Sequence, residues 1–204
     1  MTTDAEAREQ IRAAWPLAFP GSEPTIRELQ FAQAVSRGES HYGDGWRAAQ
    51  PAGAGSNNMG AVHAPGPPCD PATSFAGFDT DAQGRRYATC FRRYPTPEAG
   101  FAHFLRVLYV GGAPGSRFDR RPVRAAVRRG ELSRAVLEMS AERSTYFELA
   151  RGKYEKAVRA NLAAITRALS EKSAFLRGAG AAIGALVALG LAAGAVALYA
   201  RRRA

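Results

Sequence analysis

Cysteine and histidine are scarce in this chain, with two and three copies among 204 residues. Cys69 and Cys90 lack the paired spacing of a zinc site, even with His41 or His63 counted, so neither a metal nor a cofactor is expected. Acidic residues are also few: 18 Asp and Glu stand against 28 Lys and Arg, nearly all of them arginine. The net charge of +10 favours a polyanionic partner (nucleic acid, anionic lipid or an acidic cell-wall polymer) without choosing among them. No internal repeat is visible. The opening "MTTDAEAREQIRAAW" has no basic start and no apolar run, so no secretory signal is visible either. With 46% apolar and 23% charged residues, the composition is that of a folded domain with room for an appendage.

One long uncharged run is present. "GAGAAIGALVALGLAAGAVALYA", residues 178–200, reaches the ~20 apolar residues needed to cross a bilayer. Arg177 precedes it, Arg201, Arg202 and Arg203 follow, and Tyr199 sits at interfacial depth. The expectation is a single-pass membrane protein with a C-terminal transmembrane helix. The small-residue pairs Gly180/Gly184 and Gly190/Gly194 offer a route to a homodimer. The terminal arginines favour a cytoplasmic C-terminus and a periplasmic or wall-facing domain, although Lys172 and Arg177 weaken the asymmetry.

Ahead of that run the pattern is mostly helical. Residues 5–15 read as a short helix broken by "WPLAFP", giving an N-terminal helix and linker over 1–21. Ser22 is a candidate cap for the next helix, whose stripe of Ile26, Leu29, Ala32 and Val35 ends at Gly38. Residues 43–94 form a Gly- and Pro-rich lobe in which "SFAGFDT" and "RRYATCFRRY" flank a "DAQG" turn, the pattern of a β-hairpin. Thr96 and Pro97 open a helix with the stripe Phe101, Phe104, Leu105 and Leu108, stopped by Gly111. Two short helices follow, then a long one from Lys153 to about Arg177 with Tyr154, Val158, Leu162, Ile165 and Leu169 facing inward.

Glu39 stands at the end of the second helix, in "AVSRGESHYGDGW". A carboxylate in the last turn meets the negative end of the helix macrodipole, which disfavours ionisation, and partial burial acts in the same direction. Both effects suit a general acid in glycoside cleavage, although a solvated helix-end glutamate has the same spacing.

"FAQAVSRGESHYG" resembles the helix ending in the catalytic glutamate of bacterial peptidoglycan N-acetylglucosaminidases, and the Glu-Ser signature of lytic transglycosylases. "SNNMGAV" is similar to the Asn-containing turn that closes the site in that superfamily. "FRRYPTPEAGFAHFLRVL" and "STYFELARGKYEKAV" resemble two later blocks of the glucosaminidases, in the same order. The resemblance covers residues 31–160 and implies a mostly α, lysozyme-like glycosidase domain over 22–177, with a small β/loop lobe, ahead of the transmembrane helix and a basic tail at 201–204. It carries Glu39 over as general acid. Ser40 would support Glu39 or satisfy helix-end carbonyls. Tyr42 would line the groove or pack on the domain, Asn58 would meet an acetamido group or shape its turn, and Tyr146 would orient the attacked sugar or sit in the core. Where transglycosylases have Gln, His63 stands here, a sugar ligand or a surface histidine. No block fixes the second carboxylate: Asp79 and Asp81 on the hairpin are candidates for the base and Asp70 a weaker one, while a solvated turn aspartate is the commoner account of each. With no base in reach, the substrate's acetamido group or an internal sugar hydroxyl would act, the latter in a transglycosylase.

Cys69 and Cys90 either close a loop of about 20 residues as a disulfide, stabilising by ~3 kcal/mol, or remain free thiols. Arg120, Arg121, Arg124, Arg128 and Arg129 read as a solvated basic face, next as a site for wall polymer or lipid headgroups, and last for nucleic acid, since no aromatics interleave with them. The function expected is a membrane-tethered hydrolase cutting β-1,4 bonds between the N-acetylated sugars of peptidoglycan. The rivals are a lytic transglycosylase, a non-catalytic glycan-binding protein of the same fold, and an arginine-rich nucleic-acid module.

Overall fold

Helix α1, Asp4–Ala18, begins with a capping box: Glu6 N–H donates to Thr3 Oγ1 at 3.2 Å, and Thr3 N–H donates to Glu6 at 2.8 Å. In the computed structural model, residues 2–46, 50–80, 85–116, 118–140 and 154–168 are described. The helix runs through Pro16 rather than stopping before it. Pro16 lies in the last turn, so only one donor is missing, and Trp15 pins that turn by packing on Phe19 and Tyr109 with ring centroids 4.7 and 6.0 Å apart. The buried stripe Ala7, Ile11, Ala14, Trp15 and Ala18 makes α1 part of the same unit as the helices that follow, not a separate leader. That unit is Met1–Ile165; in the second, Thr166–Ala204, only 166–168 are described.

Helix α2, Ile26–Ser40, is capped by Thr25 and Glu28 rather than by Ser22, again as a capping box. The Glu28 carboxylate is wholly buried and also takes Arg124 Nε at 2.6 Å and Arg128 Nε at 3.0 Å. Burial alone would raise its pKa, but Arg124 and Thr25 together hold it below the usual carboxylate value. Ser22 instead receives a hydrogen bond from Arg124 Nη2 at 3.1 Å.

The lobe is built on an antiparallel hairpin, β1 Ser74–Thr80 and β2 Arg86–Arg92, in register from Ser74↔Arg92 to Thr80↔Arg86. The connecting residues 81–84 lie outside the described residues. Trp46, Phe75 and Phe91 form its small core, and Cys69 and Cys90 are joined in a disulfide with Cα atoms 5.5 Å apart. Helix α3, Pro97–Tyr109, starts at Thr96, whose Oγ1 accepts from Ala99 N–H at 3.2 Å, and buries Phe101, Phe104, Leu105 and Leu108. The lobe can seat on α3 only because two positions lack a side chain. A Cβ at Gly60 would lie 2.1 Å from the Phe104 ring, and one at Gly100 would lie 1.9 Å from the Asn57 carbonyl oxygen. Helices α4, Arg121–Arg129, and α5, Leu132–Ser140, follow, then α6 over residues 154–168, whose Asn161 Nδ2 donates to Ala34 O on α2 at 3.1 Å.

The expected transmembrane fold and single-pass localisation are corrected here. Among the described residues no helix is long and apolar enough to cross a membrane. Helices α1 and α2 have 15 residues each, short of the ~20 a bilayer requires, and both carry charged faces. What is described is a helical assembly with one two-stranded sheet. The run 178–200 on which the expectation rested, its glycine pairs and the tail 201–204 lie outside the described residues.

The basic run is a solvated face only in part, with Arg121, Arg128 and Arg129 about half exposed. Arg120 is buried and donates to Met139 O at 2.7 Å, Arg124 and Arg128 hold Glu28, Arg121 pairs with Asp119 at 2.9 Å, and Arg129 pairs with Glu131 at 2.6 Å. Arg124 further lies over the Phe19 ring, 4.2 Å from its centroid. Arg120, Arg124 and Arg128 thus fasten α4 to α5 and α2, while Arg121 and Arg129 pair with carboxylates two residues away in sequence.

Candidate active site

Glu39 is the penultimate residue of α2. Beyond Ser40 the chain does something L-residues rarely do: His41, Tyr42 and Gly43 take φ of 47°, 59° and 84° in succession. Left-handed backbone at a residue bearing a Cβ costs of order 1–2 kcal/mol, so two in a row need firm holding. The hold is visible. Ser40 Oγ accepts from Gly43 N–H at 3.0 Å, Ser40 O accepts from Gly45 N–H at 2.9 Å, and Tyr42 Oη donates to Asp4 Oδ1 at 2.6 Å. Arg37 fixes the same Asp4 from α2 at 3.0 Å. The N-terminus of α1 thus clamps the turn that follows Glu39.

This settles what Ser40 and Tyr42 do in the fold. The Ser40 hydroxyl accepts from Gly43 N–H and donates to Ser36 O at 3.5 Å, so it closes the turn and satisfies a helix-end carbonyl. Tyr42 is buried with its hydroxyl on Asp4, so it packs on the domain rather than lining a groove. Asn58 is likewise wholly buried: its Oδ1 accepts from Val62 N–H at 2.8 Å, and its Nδ2 donates to Val62 O at 2.9 Å and Arg92 O at 3.1 Å. With its amide so engaged, Asn58 shapes the turn and has nothing left for an acetamido group. Tyr146 and Asp81 lie outside the described residues.

Glu39 itself is hemmed in by protein yet keeps some accessible surface. Desolvation pushes its pKa up to about 8; a hydrogen bond from Tyr154 acts against the rise, and the charge of Asp79 adds to it. Its place in the last turn of α2, at the negative end of the helix, works in the same direction as the burial. Gly38 clears the approach of α6 at this point, since a Cβ there would come 3.3 Å from Asn161 Nδ2.

Asp79, near the end of β1, is the second carboxylate within electrostatic reach. Its Oδ2 lies 2.7 Å from His63 Nε2 and its Oδ1 accepts from Thr80 N–H at 2.7 Å. The His63 bond holds its pKa below the ordinary value, against the pull of partial burial. His63 is fixed in turn by a bridge pairing to Phe91 and by an edge-on contact with that ring at 4.9 Å. Directly across the ladder from Asp79, on the same face, stands the part-exposed Tyr87.

The structure therefore brings together Glu39, Asp79 and His63 from the sequence candidates and adds Tyr154. Tyr154 is legible in the sequence only as an inward-facing position of the last helix; that its hydroxyl meets Glu39 depends on a long-range contact. Asp70, the weaker candidate, is occupied by its own turn, accepting from Thr73 Oγ1 at 2.6 Å and Ala72 N–H at 3.0 Å. No group of His, Cys, Asp and Glu among the described residues is arranged to hold a metal ion. Two carboxyls with opposite proton affinities can donate and accept a proton in one reaction. Comparison with protein-family models, curated proteins and solved structures returns no match for this chain.

Proposed function

We propose that the protein is a glycosidase that cuts β-1,4 bonds between the N-acetylated amino sugars of peptidoglycan. The observation that carries this reading is the pairing of a carboxyl whose pKa lies near 8, Glu39, with one held ionised, Asp79, in a single neighbourhood. At neutral pH Glu39 is largely the neutral acid. It gives its proton to the glycosidic oxygen as the C1–O bond breaks, and the leaving sugar departs as an alcohol. Asp79 takes a proton from the water that bonds to C1, so one water is added across the bond. The choice of sugar rests on the likeness of residues 31–160 to peptidoglycan glucosaminidases. An available base favours hydrolysis over internal attack by a sugar hydroxyl.

The test is release of reducing ends from purified peptidoglycan by the full chain, followed by mass spectrometry of the products. Wild type should release them, and Glu39→Gln should be slower by at least about 100-fold, the scale of a lost general acid, while still binding glycan. Anhydro ends in place of reducing ends would assign transglycosylation. Glycan binding by wild type with no cleavage would leave a sugar-binding protein and overturn the enzymatic reading.

A further inference from the structure

We propose that His63 is a positioning residue for Asp79, holding the base in place and ionised so that the site works at mildly acidic pH; this rests on the glycosidase reading above. The His63 ring is not a loose surface side chain. Its backbone pairs with Phe91, the neighbouring Ala64 N–H donates to Cys90 O at 2.8 Å, and Cys90 is tied to Cys69. The ring stands edge-on to Phe91, which is buried in the lobe core. From that mount Nε2 reaches Asp79 Oδ2 at 2.7 Å, across a sequence gap of 16 residues. Both the imidazolium and the neutral ring with its proton on Nε2 can donate this bond, so the contact survives deprotonation of the ring.

Glu39 from α2, protonated below about pH 8, lies within electrostatic reach of Asp79, and Tyr87 stands opposite on β2. Arg86, one residue further along β2, lies on the other face of the hairpin with its guanidinium over Phe78, 4.1 Å from the ring centroid. Among the described residues, His63 is the side chain that hydrogen-bonds the Asp79 carboxylate, at 2.7 Å, and it is an ion-pair partner when its ring is protonated. Without it, partial burial would push Asp79 toward protonation, and the base would be lost first at low pH. A histidine that merely packed on Phe91, or that hydrogen-bonded sugar, would leave the proton affinity of Asp79 alone.

The experiment measures kcat and KM for reducing-end release against pH, from 3 to 9, for the full-length wild type, His63→Ala and His63→Gln. The alanine variant should lose up to about tenfold in kcat at the acid end, below pH 4, but less than about twofold at pH 7, as its acid limb moves up by about one pH unit. Glutamine, which restores an N–H donor, should recover most of the loss at pH 7. A uniform fall at every pH, or a change confined to KM, overturns the proposal. Carbon-13 titration of the Asp79 carboxyl in the same proteins reads the same contact without turnover: its midpoint should rise in His63→Ala, and an unchanged midpoint would overturn the proposal. Wild type inactive on glycan, with the Asp79 midpoint shifted by the variant, would instead refute the glycosidase reading and keep the pairing.

Discussion

Burying an ionisable carboxyl carries a thermodynamic signature that can be measured with no substrate at all. Glu39 has its pKa raised from 4.5 to about 8 in the folded chain. The folded state then binds more protons than the unfolded one between those two values. The contribution of Glu39 to stability is fully present below pH 4.5 and is lost as pH rises through about 8. At about 1.36 kcal/mol per pH unit, the whole interval corresponds to about 5 kcal/mol, of which about 3 is already gone at pH 7. Glu39→Gln removes the titration while keeping a side chain that Tyr154 can still bond. Urea unfolding at pH 5, 6.5 and 8.5 should show the glutamine variant gaining on wild type with each step, by about 4 kcal/mol in all between pH 5 and 8.5. An equal difference between the two proteins at all three values would refute the claim that Glu39 is held protonated.

Other outcomes follow from the same coordinates. Tyr154→Phe removes the hydrogen bond that opposes the rise at Glu39, so the basic limb of glycan cleavage should move to higher pH, which a pH–rate profile checks. Glu28→Ala strands the Arg124 guanidinium and breaks the α2 capping box, and should lower stability by about 3–5 kcal/mol in urea; a loss under 1 kcal/mol would make the cluster ornamental. Reducing the Cys69–Cys90 bond, or replacing both residues by Ser, should cost about 3 kcal/mol and loosen the hairpin, read by amide exchange of β2. Gly100→Ala should destabilise by more than about 2 kcal/mol, because the added methyl falls on the Asn57 carbonyl oxygen, which is backbone and cannot swing aside.

What could be read from the sequence was what local chemistry determines. The hairpin, the Thr96 cap and the α3 stripe depend on neighbours a few residues away, and each is where its pattern places it. The second cap moved from Ser22 to Thr25 because Glu28 completes a box only with Thr25. Pro16 misled because a proline in a last turn removes little. The fates of Tyr42 and Asn58 were out of reach for another reason: their partners, Asp4 and Arg92, lie 38 and 34 residues away, and only the fold brings them in. The same holds for the arginines of α4, whose charge suggested a solvated face until Glu28, 96 residues from Arg124, absorbed two of them. Choosing Asp79 over Asp70 required the His63 contact. The raised pKa of Glu39 was foreseeable in direction from its place in the helix, but its extent comes chiefly from burial in the folded chain.

The most direct measurement is a carbon-13 titration of the Glu39 and Asp79 carboxyls in the folded full chain, each signal assigned by its Gln or Asn variant. Glu39 should titrate near pH 8 and Asp79 below the usual carboxylate range, leaving one acid and one base at neutral pH. A Glu39 midpoint near 4.5 would leave two carboxylates side by side and no proton donor, and would contradict the account at its root.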